Sequence, residues 1–235
     1  MRSAPMKTAS PSLFPFESSV PEGGYRSVPV AWPRRFPQGN RDGQISPHLP
    51  QLAPCLDSLF ETTRVPSRLI VVDNDSPEET KGLLRTLKGN GTIHVEVMTN
   101  ERNEGFALGM NRGMKRATAP YTVLLNDDLF FTEGWLERLL EAGDRHPQVG
   151  LLNPSSNTLG HPPPAGRTLE QFAEERRRLY PGQVTRIAAV SGFCMVIKQE
   201  LIQKIGFLDE ASPPSFLKMQ TTPAGLPPRA INARW

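Results

Sequence analysis

From residue 51 onward the apolar positions fall into two alternating periods. Leu52, Cys55, Leu56, Leu59 and Phe60 recur at helical spacing and stop at Thr62 and Thr63, which predicts an amphipathic helix. Arg68-Leu69-Ile70-Val71-Val72-Asp73 is then apolar almost throughout, the pattern of a strand covered on both faces. Ser76, Pro77 and Glu79 predict the start of the next helix: Ser76 can cap, Pro77 suits the first helical position and Glu79 completes a capping box. That helix is expected to run to about residue 88. Residues 93–98 read as a strand, 105–117 as a helix, 121–125 as a strand, 133–142 as a helix and 149–152 as a short strand. Helices alternating with buried strands predict an α/β fold, a mostly parallel sheet flanked by helices. In such sheets the ligand crevice lies at the carboxyl ends of the strands.

Composition sharpens this division. Of the 24 prolines, 10 fall in residues 1–54 and 5 in residues 211–235. Residues 1–50 hold no sustained period and are expected to be irregular or disordered, residues 51–210 form the domain, and residues 211–235 form an irregular tail. Residues 1–50 carry 6 Lys/Arg against 3 Asp/Glu and the tail 3 against none, leaving 18 against 21 between them. The net charge of +3 therefore comes from the ends, and no basic stripe on the domain supports nucleic-acid binding. No apolar run approaches the roughly 18 residues of a transmembrane segment, and Pro5, Pro11 and Pro15 interrupt any signal-peptide core. A cytoplasmic chain is expected, with peripheral membrane contact left open. Cys55 and Cys194 read as buried apolar fillers, and the four histidines show no ligand spacing, so no zinc site is expected.

Candidate chemistry gathers at the strand ends. Asp73-Asn74-Asp75 follows one apolar strand and Asn126-Asp127-Asp128 another. A carboxylate pair in that position suits Mg2+ or Mn2+, which take one or two carboxylates together with substrate phosphate oxygens. The same residues also suit a turn with helix-capping aspartates. Asn100-Glu101-Arg102-Asn103-Glu104-Gly105-Phe106 is a polar turn opening a helix, suited either to an anion or to an ordinary tight loop. The run Glu174-Glu175-Arg176-Arg177-Arg178 reads as a solvated helix face with intrahelical pairs, or as a contact for an acceptor or lipid phosphate.

The ordered set is more specific than its members. Leu69-Ile-Val-Val-Asp-Asn-Asp-Ser76, Asn103-Glu-Gly-Phe-Ala107 with Asn111 downstream, Val123-Leu-Leu-Asn-Asp-Asp128, Gly134-Trp135-Leu136, Ser191-Gly-Phe-Cys194 and Gly206-Phe-Leu-Asp-Glu210 occur in that order. Over residues 52–210 the chain resembles an inverting family 2 glycosyltransferase of the GT-A fold. The resemblance implies that Asp73 contacts the base of a nucleotide-sugar donor and that Asn103 and Gly105 line its pocket. Asn126-Asp127-Asp128 is similar to the family's DxD element. By that likeness Asp128 binds the divalent ion, Mg2+ or Mn2+, on the donor diphosphate, Asp127 lies near the ribose or sugar, and Asn126, in the first position of the element, belongs to the nucleotide-sugar site. Ser191 and Gly192 resemble the wall where donor sugar and acceptor meet. A carboxylate deprotonates the acceptor hydroxyl in such a displacement. The acceptor class stays open between a glycan, a lipid-linked species and a protein.

The chain departs from the family pattern at both ends, as expected of a truncated or frameshifted sequence. The family's first strand, of V-S-I-I-I-P-V-Y-N character, is expected just before residue 52, where Asp42-Gly-Gln-Ile-Ser-Pro-His-Leu-Pro-Gln51 stands instead. Its loss would leave one side of residues 69–73 unpaired. The acidic E-D-x-D segment that supplies the family's catalytic base is also absent, since residues 211–235 contain no acid. The catalytic residue is therefore not assigned. Read from the third base of the Phe216 codon, however, the permitted codons of residues 216–235 allow L-E-D-A-D-Y-S-C-R-L-A-A-E-G-N-K-C-A-V. The alanine is forced, and each aspartate position is free only between Asp and Asn. The expectation is a frameshift near residue 211, a tail without selected structure, and a chain inactive in transfer. The alternatives are a non-catalytic remnant that binds nucleotide diphosphate and an unstable product with no function.

Overall fold

The computed structural model describes residues 26–28, 49–157, 162–187, 190–211 and 230–234. In chain order the elements are β1 (Arg26–Val28), α1 (Leu49–Thr62), β2 (Ser67–Asp73), α2 (Glu78–Thr86), β3 (Ile93–Thr99), α3 (Phe106–Arg116), β4 (Tyr121–Leu125), α4 (Trp135–Arg145), β5 (Leu151–Pro154), α5 (Leu169–Leu179), β6 (Gln183–Ile187), β7 (Cys194–Lys198), α6 (Gln199–Ile205) and β8 (Ala230–Arg234).

The apolar strands are covered on both faces, and the strand period of two decides which side chain goes where. Leu69 and Val71 of β2, Val123 and Leu125 of β4 and Val196 of β7 share a cluster with Leu56 of α1 and Leu136 of α4. Ile70, Val72, Leu124, Met195 and Ile197 face the other way, onto Met110 and Met114 of α3 and Ile202 and Ile205 of α6. Each such side chain contributes about 1.5–3 kcal/mol over its exposed state. Close packing also explains Gly143 on α4. A Cβ there would lie 2.7 Å from the Tyr121 hydroxyl, which donates to Asp144 Oδ1 at 2.6 Å.

The first sheet is parallel in the order β1-β2-β3, with Leu69 opposite Val95 and Asp73 opposite Thr99. The second, in the order β4-β7-β5-β8-β6, is mixed: β7 is antiparallel to both β4 and β5, β8 is parallel to β5, and β6 is antiparallel to β8. The predicted parallel arrangement therefore holds for the first half and is corrected for the second. Between β5 and β7 the chain passes through α5 and β6 and re-enters the sheet at the end where β5 finishes, so β7 runs against its neighbours. β1 lies beside β4, where the two sheets meet.

Two short strands and the helix caps complete the fold. The slot beside β2 is occupied over part of its length, since Arg26–Val28 pairs with Ser67, Arg68 and Leu69 although residues 1–50 were expected to be irregular. In the tail expected to be irregular, Ala230–Arg234 enters the sheet between β5 and β6. Unpaired backbone N–H and C=O groups recruit whatever short stretch can reach them, with no hydrophobic period needed. The predicted capping box at Ser76 and Glu79 does not form either: Pro77 occupies the N-cap of α2 without a side-chain bond, and the Ser76 N–H donates to Asp73 Oδ1 at 2.9 Å. A capping box that sequence reasoning missed joins Thr168 and Gln171 at the start of α5. On α5 Glu174 pairs with Arg177 as expected of a solvated face, and Arg177 Nη1 also donates to the Glu133 carbonyl at 2.6 Å. No helix among the described residues is long and apolar enough to cross a membrane.

Candidate functional site

The turn after β2 is built around Asp73, whose Oδ1 accepts from Ser76 and whose carbonyl accepts from the Asn100 N–H at 2.8 Å. Asp73 is 3% exposed. Two residues on, Asp75 has φ 65°, a left-handed conformation that Asp tolerates better than most residues, and its carboxylate receives Lys81 Nζ at 3.2 Å. The strand thus ends in a tight, polar and locally strained turn.

Asn74 joins that turn to the loop opening α3. Its Nδ2 donates to Asn103 Oδ1 at 3.0 Å and to the Gly105 carbonyl at 3.2 Å, while its Oδ1 accepts from Asn100 Nδ2 at 3.1 Å and the Glu104 N–H at 2.9 Å. All four bonds of a primary amide are made, at 1% exposure. The network fixes the orientation of the amide, since the Glu104 N–H can only donate and the Gly105 carbonyl can only accept. Gly105 has φ 88° and donates its N–H to Asn103 Oδ1 at 2.9 Å, so a side chain there would strain the helix entry.

The Asn126-Asp127-Asp128 turn leaves β4 on a floor supplied by α1. Cys55 Sγ donates to the Asn126 carbonyl at 3.8 Å, the Phe131 N–H donates to Ser58 Oγ at 3.2 Å, and Trp135 Nε1 donates to Thr63 Oγ1 at 3.1 Å. Burial pushes the Cys55 thiol up to about 12, the fields of Asp127 and Asp128 push the same way, and a backbone hydrogen bond at Leu129 opposes them. Cys194 is raised by burial alone. Both cysteines are free and buried, in keeping with their predicted role as fillers.

The Ser191-Gly192 segment is placed beside that turn by β7. Leu125 pairs with Cys194, and the Asn126 N–H donates to the Phe193 carbonyl at 2.9 Å. Asn153 at the end of β5 holds it in turn: Nδ2 donates to the carbonyls of Ser191 (2.9 Å) and Cys194, and Oδ1 accepts the Ser191 N–H at 2.6 Å. The candidates therefore fall into two tied groups, Asp73 with Asn103 and Gly105, and Asn126, Asp127 and Asp128 with Ser191 and Gly192. Both stand at strand ends. Asn74, Asn100 and Asn153, which assemble the loops, carried no assignment in the sequence.

Among the described residues no three His, Cys, Asp or Glu side chains gather into a ready-made cation cage. Asp127 is half-buried and its neighbour Asp128 exposed, and both offer hard oxygen donors. That donor set fits Mg2+ or Mn2+ completed by phosphate oxygens of a substrate, because such ions need only one or two protein carboxylates.

Comparison with known proteins places this arrangement. The family model described as glycosyl transferase family 2 matches residues 48–206. An uncharacterized glycosyltransferase of Haemophilus influenzae is 28% identical over 162 residues, 66% of this chain and 51% of its own. The chain thus spans about half the length of that curated relative. Among solved structures, the mannosyltransferase PcManGT of Pyrobaculum calidifontis, in complex with GDP-Man and Mn2+, superposes with a TM-score of 0.53 at 16% identity, covering 81% of this chain and 49% of that one. GalNAc-T7 with UDP, GalNAc and Mn2+ superposes with a TM-score of 0.58 at 14% identity, covering 90% of this chain and 43% of that one. The fold is that of the GT-A glycosyltransferases, and the chain belongs to glycosyl transferase family 2.

Proposed function

We propose that this chain is the donor-binding part of a transferase that moves a sugar from a nucleotide-sugar to an acceptor hydroxyl, on a glycan, a lipid-linked species or a protein. The observation that carries the reading is the set of strand-end turns, with Asp73 tied to Asn103 and Gly105 through Asn74 and Asn126 tied to the 191–194 segment. Asp73 accepts from the nucleobase, Asn103 and Gly105 line the pocket, Asn126 and Asp127 face the ribose or sugar, and Ser191 and Gly192 form the wall toward the acceptor. Asp128, assisted by Asp127, would hold the divalent ion, which when bound neutralises charge on the departing diphosphate. The donor classes bound by the two solved relatives, GDP-Man and UDP each with Mn2+, support this assignment.

Transfer itself needs a base to take the acceptor proton, and no acid follows Glu210 in the sequence. In our reading the chain binds donor and does not transfer, its domain is residues 51–210, and residues 211–235 are the product of a shifted frame. Calorimetry with UDP, GDP, CDP and dTDP in the presence of Mn2+ is expected to show saturable heat with at least one of them. The matching nucleotide-sugar is expected to release no diphosphate. Heat from none of the four would overturn the donor reading, and turnover would overturn the inactivity. The frame is tested separately on the coding DNA. From the third base of codon 216 it is expected to read E-D-A-D and to stay open, and asparagine at both acidic positions or an immediate stop would make the tail genuine.

A further inference from the structure

Asn111 lies on α3 six residues past Gly105, is 1% exposed, and directs its side-chain hydrogen bonds to a segment 97 to 99 residues away. Its Nδ2 donates to the Leu208 carbonyl and to Glu210 Oε1, each at 2.9 Å, and its Oδ1 accepts the Leu208 N–H at 2.9 Å. One amide thus returns both backbone bonds of Leu208, as a partner residue does in an antiparallel ladder, and holds a carboxylate as well. Leu208 is 1% exposed and packs in the same cluster as Met110 and Met114 of α3 and Ile202 and Ile205 of α6.

The other end of α3 is the donor loop. The Gly105 carbonyl accepts from Asn74 Nδ2, and the Gly105 N–H donates to Asn103. At 1.5 Å per residue, Asn111 stands about 9 Å further along a helix whose backbone bonds make it a stiff rod. A shift of the loop at residues 100–105 is therefore carried by α3 to Leu208 and Glu210. Without the amide, Leu208 loses the bonds that fix its register against α3, and the apolar contact around it has no direction.

We propose that Asn111 is a positioning residue that couples occupation of the donor loop to the placement of Asp209 and Glu210, the last carboxylates before the tail. The coupling rests on the donor reading given above. Hydrogen exchange read by mass spectrometry tests it on the full chain and on Asn111→Ala, each with and without UDP, GDP, CDP or dTDP plus Mn2+. In the unmodified chain, nucleotide is expected to slow exchange over residues 100–106 and 206–210 together. In Asn111→Ala, slowing is expected to persist over 100–106 and to vanish over 206–210, a loss within the range of about 5-fold to 150-fold typical of coupled sites. Mere loosening would raise exchange with and without nucleotide alike and leave the nucleotide-induced difference unchanged.

Equal slowing of 206–210 in both proteins, or none there in the unmodified chain while 100–106 slows, overturns the coupling and leaves donor binding standing. No slowing of 100–106 with any of the four nucleotides overturns both. Should Asn111→Ala fail to fold, Glu210→Ala removes only one of the three bonds, at an exposed residue. It is expected to keep the slowing over 100–106 and lose part of that over 206–210, and full retention would overturn the proposal.

Discussion

Asn74→Ala is expected to lower the stability of the domain by about 3–5 kcal/mol, among the largest effects of any single substitution of a polar residue here. The substitution deletes four hydrogen bonds at once and strands the Glu104 N–H and Asn100 Nδ2, while Asn103 Oδ1 keeps the Gly105 N–H and the Gly105 carbonyl keeps the Gly109 N–H. A buried donor or acceptor left without a partner costs about 1–3 kcal/mol, and water entering the space recovers only part of that. Asn74→Asp is expected to do no better. A carboxylate offers no donor to the Gly105 carbonyl or to Asn103 Oδ1, and its charge would sit at a 1% exposed position. Urea denaturation measures both variants: the midpoint should fall while the slope is unchanged. A loss below about 1 kcal/mol would mean that the turn after β2 and the loop opening α3 hold together without the amide.

The contrast between Asn74 and its neighbour Asp73 shows where reading the sequence succeeds. Asp73 follows four apolar residues, and that pattern alone puts it at the carboxyl end of a buried strand. Asn126, Asp127 and Asp128 follow β4 for the same reason, so the position of the candidate donor edge was legible before any coordinates. The clamps were not. Asn74 reaches partners 26 to 31 residues away, Asn153 reaches 38 to 41, and Asn111 reaches 97 to 99. Nothing in the local chemistry of an asparagine distinguishes an amide that caps its own turn from one that gathers distant loops.

Strand direction escaped for a related reason. Cys194-Met195-Val196-Ile197-Lys198 is as apolar as β2 or β4, and an apolar run carries no arrow. Its antiparallel course is set by the return of the chain through α5 and β6. β1 and β8 are legible in no period at all, because they are placed by the open edges of β2 and β5. The Ser76 cap failed because a nearer acceptor prevailed: Asp73 Oδ1 takes the Ser76 N–H and leaves Pro77 at the start of α2.

Asp128→Ala is expected to weaken binding of a nucleoside diphosphate in Mn2+ by about 100-fold, or about 2.7 kcal/mol, and the sign of its effect should reverse when the metal is removed. The reversal follows from charge. Asp127 and Asp128 stand side by side at the end of β4, and a diphosphate brought there without a cation meets like charge, which removing one carboxylate relieves. With Mn2+ present, the same carboxylate holds the ion that the phosphate oxygens share, so its removal costs affinity. General damage to the fold cannot produce opposite signs in the two conditions. Calorimetric titrations of the unmodified chain, Asp127→Ala and Asp128→Ala, each with Mn2+ and with EDTA, make the comparison, with Asp127→Ala losing less than Asp128→Ala in Mn2+. An equal loss for Asp128→Ala in Mn2+ and in EDTA would remove the metal from this turn and leave Asp128 a direct contact of the nucleotide.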